Sequence, residues 1–238
     1  EADKDRKYSV VLANPPFAGK LPTESIRADL PTKGAALAGL RQAPRMESLR
    51  DGGRCAVIMP EGAHFGSTKS HKELRRKLLH DFEVQAVVSL AAGLFKPYTG
   101  VKTSVLVFRR PTQKTKHAAT QKVWFYDICN DGYDPDKTQA GGRPETPNGN
   151  DIPDLMKAWD AYKDSGFAEP AGEEANTILP VGTDEPKCWW AGLETVEAAD
   201  YNLSASRYKP RVAAEVSTEK PADLIREVLD IEREITSG

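Results

Sequence analysis

Residues 8–17 read Tyr-Ser-Val-Val-Leu-Ala-Asn-Pro-Pro-Phe, an apolar run followed directly by a turn that contains two prolines. The run is short and largely apolar at odd and even positions alike, which predicts a strand that is buried on both faces. Strands of this kind belong to parallel sheets that helices cover on both sides. The prolines end the strand because they lack the N–H that a sheet ladder needs.

Four further apolar runs follow downstream, at residues 55–59, 84–90, 103–108 and 123–128. Between the first and second of them, residues 69–81 predict a helix with Leu74 and Leu78 on one face. The connection between the second and third runs is about twelve residues long without helical periodicity, which favours an antiparallel pair over a crossover. The predicted fold class is therefore α/β, a partial Rossmann-like sheet made of later strands, with its last pair antiparallel.

The composition predicts a soluble globular protein. The chain has 238 residues, 39% of them hydrophobic, and a mean hydropathy of −0.54. No window approaches eighteen apolar residues, and the charged N-terminus does not read as a signal peptide. The formal charge of −2 gives no overall attraction to nucleic acid, so any such contact must be local.

The three cysteines, Cys55, Cys129 and Cys188, lie far apart and form no C-x-x-C pair. This spacing argues against a metal cage or a disulfide framework. Cys55 lies in an apolar strand pattern, where a reduced, buried thiol is the ordinary interpretation. A reducing, cytoplasmic location fits best, and no metal site is expected.

The turn at residues 14–17 carries groups suited to the chemistry of a nucleobase amino group. Such a nitrogen is a poor nucleophile, and two acceptors for its hydrogens would stabilise the positive charge that it gains on attack. The Asn14 side-chain carbonyl and the Pro15 backbone carbonyl can be those acceptors, with Pro16 stiffening the turn. Phe17 offers a face on which an extruded base can stack. The plainer alternative is a proline turn with Phe17 packed in the core.

Several segments, in order along nearly the whole chain, resemble the modification (M) subunit of type I restriction-modification systems. They are residues 8–17, 52–62, 97–106, 123–127 and 200–204, with Arg207-Tyr208 after the last. The first motif is shared with other amino-methyltransferases, whereas residues 97–106 are more specific to this family. The resemblance implies an adenine-N6 DNA methyltransferase with S-adenosyl-L-methionine as cofactor and a Rossmann-like class I methyltransferase sheet.

Carried over position by position, the resemblance implies that Asn14 and Pro15 accept from the adenine amino group, that Phe17 stacks on the base, and that Pro16 holds the turn. The loop at residues 91–102 would border the target-base pocket. It carries three weaker candidates for substrate contacts, Phe95, Tyr98 and Lys102. For the two aromatic residues, packing onto the sheet is the equal alternative, and for Lys102 an ordinary surface position is favoured over a phosphate contact.

The cofactor half of such an enzyme is expected to be missing from this chain. In the family the strand that carries the proline turn is the fourth, and the glycine-rich turn for the cofactor follows the first. No G-x-G pattern occurs here, so the cofactor-binding residues are unknown. The expectation is a fragment that is inactive alone and has an exposed sheet edge, which predicts self-association.

We expect three segments. Residues 1–129 would form the C-terminal half of the catalytic domain, 130–185 a loop-rich excursion with a short helix that includes Ile152 and Trp159, and 186–238 a C-terminal segment. Its helix at about 219–236 presents a narrow apolar seam that suits a partner helix. The partners that the resemblance implies are DNA, a specificity subunit and a restriction subunit, without a membrane.

Alternatives remain open for the function and for one basic surface. The chain can also be a catalytically silent assembly module that binds a specificity subunit, or a methyltransferase that acts on protein glutamine. The basic residues of the helix at 69–81 can contact DNA, although a solvated helix face is the commoner outcome. These residues are Lys69, Lys72, Arg75, Arg76 and Lys77.

Overall fold

The computed structural model describes residues 7–15, 49–96, 99–113, 116–134, 136–137, 142–168 and 186–210. The strands in these ranges are β1 (Tyr8–Ala13), β2 (Leu49–Pro60), β3 (Glu83–Ser89), β4 (Thr103–Arg109), β5 (Lys122–Asp127), β6 (Asp131–Tyr133), β7 (Glu145–Asn150) and β8 (Cys188–Gly192). The helices are α1 (Gly62–Phe65), α2 (Lys69–Asp81), α3 (Ile152–Asp164) and α4 (Leu193–Ala198), and a 3-10 helix covers Ala205–Arg207. None of the described helices is both long and apolar enough to cross a membrane.

Six strands form one mixed sheet in the order β1-β2-β4-β3-β5-β8. β1 is parallel to β2, and β3 is parallel to β5. β4 is antiparallel to both of its neighbours, and β8 is antiparallel to β5. The α/β class and the antiparallel pair of β3 and β4 confirm the sequence prediction, and β5 and β8 extend the sheet beyond that pair.

β4 lies between β2 and β3, a position that the sequence pattern does not predict. Leu106 of β4 pairs with Val57 of β2 on one side and with Val87 of β3 on the other. The connection through α1 and α2 therefore places β3 two strand positions away from β2, and β4 occupies the position between them. The length of the β3–β4 connection predicts the direction of β4, whereas packing decides on which side of β3 it pairs.

The two faces of the sheet carry separate apolar cores. Along β5, Val123 and Phe125 belong to a core that is shared with α2, whereas Trp124 and Tyr126 belong to a core that is shared with α3. Neighbouring side chains of a strand point to opposite faces, so the two cores lie on opposite sides of the sheet. This burial on both faces explains why the inner strands read as continuous apolar runs.

α2 begins and ends where the sequence predicts a helix. The Thr68 hydroxyl caps it by accepting the backbone N–H of His71 at 3.3 Å. Leu78 and Leu79 are buried in the first core, which ties the helix to the sheet. A capped, amphipathic helix is a local pattern, and local patterns are what sequence predicts best.

The predicted short helix in the loop-rich segment is α3. Its Tyr162 stacks on Trp124 of β5 with ring centroids 5.4 Å apart. β8 comes from the predicted C-terminal segment and pairs with β5 of the first segment, so these parts share one sheet. The three-segment division itself stays a prediction, and the predicted helix at 219–236 lies outside the described residues.

Cys55 is a buried, free thiol in β2, as the strand pattern predicts. Burial raises the pKa of this thiol to about 12. The thiolate form that attacks electrophiles or binds metals is therefore disfavoured, and Cys55 contributes to packing.

β1 is an edge strand of the six-stranded sheet and exposes one apolar face. Leu12 is 79% exposed and Val10 is 49% exposed, whereas Val11 on the opposite face is buried. Edge strands usually carry charges or prolines that block pairing with another chain, and residues 8–13 contain neither. In the described part of the chain, no strand pairs with the outer side of β1. The prediction that residues 8–13 are buried on both faces is therefore wrong, because at this end of the sheet only Val11 of β1 is buried in the core.

We expect the 238-residue chain to self-associate through β1. Sedimentation velocity across the micromolar range should show a concentration-dependent shift toward larger species. A Leu12→Lys variant should remain monomeric at the same concentrations, because a charge on an edge strand opposes strand pairing. Met156→Lys changes an exposed apolar residue of α3 and is the matched control. A wild-type chain that stays monomeric throughout would contradict the expectation.

Candidate active site

Strand ends converge at one edge of the sheet. β1, β2, β3 and β5 run in the same direction, so their carboxyl ends meet there, and β4 starts there because it runs the opposite way. Ala13 pairs with Val57, so the proline turn leaves β1 beside the last residues of β2. We call this rim, which includes Asn14, Glu61 and Lys102, the carboxyl edge. In open α/β sheets this edge is where ligands bind.

The first two residues of the proline turn lie at the surface. Asn14 directly follows β1 and is exposed, and Pro15 is half-buried. An exposed amide that follows a paired strand is accessible to a ligand and is anchored on one side. Pro16 and Phe17 lie outside the described residues, and the roles of all four residues stay predictions.

Glu61 and Lys102 link the two strands next to β1. The Glu61 backbone N–H donates to the Lys102 carbonyl at 2.9 Å, which joins the end of β2 to the start of β4. The Lys102 ammonium lies 3.8 Å from an Asp127 carboxylate oxygen, and the Lys209 ammonium lies 3.4 Å from the other oxygen. Lys102 therefore shares the Asp127 carboxylate with Lys209. The phosphate contact and the ordinary surface position therefore both remain open for Lys102.

The loop after β3 places Phe95 against the protein. Phe95 is half-buried and packs on the core that is shared with α3. This is the packing alternative considered for Phe95, and its role in base contact stays a prediction. Tyr98 lies outside the described residues.

The segment at residues 200–204 reaches the carboxyl edge from far along the chain. The Ser204 hydroxyl donates to a Glu61 carboxylate oxygen at 3.2 Å, across 143 residues. The Leu203 N–H donates to the His64 carbonyl at 3.0 Å, and the Asn202 side-chain carbonyl accepts the Ser204 N–H at 2.8 Å. Sequence reasoning noted this segment only for its resemblance and gave it no role. No local signal links residues that far apart.

His64 is a buried polar residue beneath this edge. It is 1% exposed, and its Nε2 is hydrogen-bonded to the Ser104 hydroxyl of β4. Burial, followed by the positive charge of Arg75, lowers the pKa of His64 to about 4. The imidazole is therefore neutral at physiological pH, and the hydrogen bond ties α1 to the start of β4.

The sequence analysis places Arg75 on a basic helix face that is solvated or contacts DNA, and this is wrong for Arg75. It is 3% exposed and donates hydrogen bonds to backbone carbonyls. Its α2 neighbour Lys72 pairs with Asp200 at 2.7 Å, and Lys77 pairs with Asp81. The number of basic residues in a helix does not reveal that one of them is buried, because a long Arg side chain at the border of an apolar face can extend into the interior.

The described strand ends do not fit the methionine part of S-adenosyl-L-methionine. They are followed by Asn14-Pro15, Glu61, Leu90 and Ile128. Gly62 and Gly93 occur in two of these turns, but none of the turns carries the G-x-G pattern that lets a backbone approach such a ligand closely.

The sheet order and the carboxyl-edge turn define the class of protein. An antiparallel strand inserted beside parallel strands, with helices packed on the sheet, is the class I methyltransferase fold. Residues 1–217 match the family described as N-6 DNA Methylase, and the chain belongs to that family. The resemblance identified from the sequence motifs is thereby confirmed.

The chain is similar to methylase subunits of type I restriction enzymes. It is 27% identical over 208 residues to the Type I restriction enzyme EcoEI methylase subunit of Escherichia coli, which covers 84% of this chain and 36% of that protein. A solved structure described under complex assembly and conformational transition of the type I R-M system is 29% identical and covers 98% of this chain and 44% of that one, with a TM-score of 0.64.

The Type I restriction enzyme EcoKI M protein shares the fold. Its structure is 19% identical to this chain, with a TM-score of 0.60, and the match covers 96% of this chain and 49% of that one. The chain thus spans 36–49% of the length of these three proteins.

We expect the stability of the chain to fall between pH 6.5 and pH 4 because of His64. In this window the unfolded state binds a proton at His64 and the folded state does not, so the free energy of unfolding decreases as the pH falls. The full contribution is about 3 kcal/mol, and it is present above pH 6.5. Urea unfolding at several pH values measures it.

His64→Gln is the comparison for this measurement, since glutamine can keep a hydrogen bond to Ser104 and does not titrate. Its unfolding free energy should depend less on pH across the window than that of the wild-type chain. Equal slopes in the two proteins would contradict the assignment to His64.

Proposed function

We propose that this chain is part of a longer adenine-N6 DNA methyltransferase, the modification subunit of a type I restriction-modification system. In that protein it would supply the side of the active site that holds the target base. The observation that supports this proposal is the position of the proline turn. Asn14 and Pro15 leave β1 at the carboxyl edge, beside the last residues of β2, which Glu61 follows.

The proposed chemistry rests on hydrogen-bond acceptors. The Asn14 side-chain carbonyl and the Pro15 backbone carbonyl accept the two hydrogens of the adenine amino group, which favours the geometry needed for attack. Positive charge develops on that nitrogen as it gains the methyl group, and both carbonyl dipoles stabilise it. Phe17 stacks on the base after the base leaves the duplex, a contact worth about 1–3 kcal/mol.

The methyl group would come from S-adenosyl-L-methionine, which when bound supplies it on a sulfonium sulfur. The turns of the described strands do not form its cradle, so we assign cofactor binding to a part of the longer protein beyond the described residues. The role of this chain is then to bind and orient the base. The chain should be inactive alone.

DNA, a specificity subunit and a restriction subunit are the proposed partners. A solved structure that matches 98% of this chain comes from work on complex assembly in a type I R-M system, and it supports this proposal. In such a complex the specificity subunit would select the sequence and the methylase would flip the adenine. The predicted apolar seam at 219–236 is the proposed contact with a partner helix.

In the complete methyltransferase, we expect Asn14→Ala and Phe17→Ala to reduce adenine methylation strongly. Loss of one preorganised group typically lowers kcat by about 10²-fold or more. Methyl transfer to duplex DNA from labelled cofactor measures the rate. Asn130→Ala, an exposed change in the loop after β5, is the matched control and should retain activity. Full activity in both turn variants would refute the assigned roles.

The 238-residue chain by itself should transfer no methyl group. Labelled cofactor, duplex DNA and the purified chain should give no product above background under conditions where the complete methyltransferase is active. Methylated adenine formed by the chain alone would show that it binds cofactor and would overturn the proposed division of the site.

A further inference from the structure

Arg75 is a buried cation on α2. Its side chain is only 3% exposed, whereas its neighbour Arg76 on the same helix is exposed. Among the described residues, no carboxylate lies within ion-pair distance of Arg75. Burying a guanidinium is unfavourable unless its N–H groups are satisfied, so its contacts must offset a large desolvation cost.

Those contacts are backbone carbonyls from two distant segments. Nε donates to the Tyr201 carbonyl at 2.7 Å, and an Nη2 N–H donates to the Asp200 carbonyl at 3.2 Å. On the other side, Nη1 donates to the carbonyls of Ala63 at 3.3 Å and Gly66 at 3.0 Å. The guanidinium thus joins the α1 turn to residues that lie 125 or more positions further along the chain.

Asp200 and Tyr201 adopt a backbone conformation that other contacts must stabilise. Asp200 and Tyr201 both have φ of +57°, the left-handed region that non-glycine residues rarely adopt. Strained residues of this kind persist only where surrounding contacts hold them. Arg75 binds the carbonyls of both residues, and Lys72 pairs with the Asp200 side chain.

The segment that Arg75 holds continues into residues that contact the carboxyl edge. Just beyond Tyr201, the Leu203 N–H binds the His64 carbonyl and the Ser204 hydroxyl binds the Glu61 carboxylate. Glu61 is half-buried, and no described cation pairs with its carboxylate. Its backbone follows β2, the neighbour of the strand that carries Asn14.

A fixed carboxylate at this place would serve the proposed reaction. The amino nitrogen of the base gains positive charge during methyl transfer, and a negative charge held nearby stabilises that charge. The benefit depends on preorganisation, because a carboxylate that moves into solvent contributes little.

We propose that Arg75 is a positioning residue of the methylation site, which acts by docking residues 200–204 onto the α1 turn and thereby fixing Glu61 at the carboxyl edge. This inference rests on the proposed function for its consequence in catalysis. The docking itself does not depend on any activity.

Hydrogen exchange on the 238-residue chain tests the docking. In Arg75→Met, the Leu203 amide should exchange at least about tenfold faster, whereas amides of β3 and β5 should keep their protection. Arg76→Met removes an exposed cation from the adjacent position and should change neither rate. If Arg75→Met does not fold, Arg75→Lys takes its place, with the same local acceleration expected because lysine cannot span four carbonyls.

Kinetics of the complete methyltransferase test the consequence. Arg75→Lys and Glu61→Gln should each lower kcat by about tenfold while the KM values for DNA and cofactor stay within about twofold. A general loss of structure would instead lower the amount of active enzyme and weaken protection throughout the sheet.

The outcomes separate the two proposals. Unchanged Leu203 exchange, or equal acceleration in the β3 and β5 amides, overturns the positioning role. Faster exchange confined to Leu203, with full kcat in both variants, shows that Arg75 docks residues 200–204 and that Glu61 does not contribute to catalysis. A complete wild-type protein without DNA methylation refutes the proposed function, and the exchange experiment still decides whether Arg75 holds the segment.

Discussion

The pairing of β4 between β2 and β3 is the constraint on which the rest of the described structure depends. Leu106 meets Val57 on one side and Val87 on the other, so β4 satisfies the backbone groups of two parallel strands at once. Because β4 runs the opposite way, it starts where β2 ends. This reversed direction places Lys102 next to Glu61 at the carboxyl edge.

Buried polar groups then hold the edge together from below. His64 bonds to Ser104 at the start of β4, and Arg75 joins the α1 turn to the segment before Ser204. Directional bonds in an otherwise apolar core tolerate few alternative arrangements, since an unpaired buried group is costly. These bonds therefore place the Ser204–Glu61 pair, which apolar contacts alone would leave loosely defined.

Prediction from sequence succeeded where the determining forces are local. The bounds of α2 follow from a cap and a 3.6-residue apolar period, and the direction of β4 follows from a connection too short for a covering helix. It failed for Arg75, whose charge indicates solvent although its side chain lies in the interior. It also missed the strand order around β4 and the joining of β8 to β5, because pairing partners depend on contacts between distant parts of the chain.

By itself, the sequence determined the α/β class, the strand that ends in Asn14 and Pro15, and the membership in the N-6 DNA methylase family. Each of these depends on short stretches of residues, in which periodicity, proline stereochemistry or a motif is enough to predict it. Only the tertiary structure decided what else lies along the carboxyl edge, namely Glu61 held by Ser204 and Lys102 beside Asp127. Those contacts join residues that share no local pattern, and they arise only when the strands have paired.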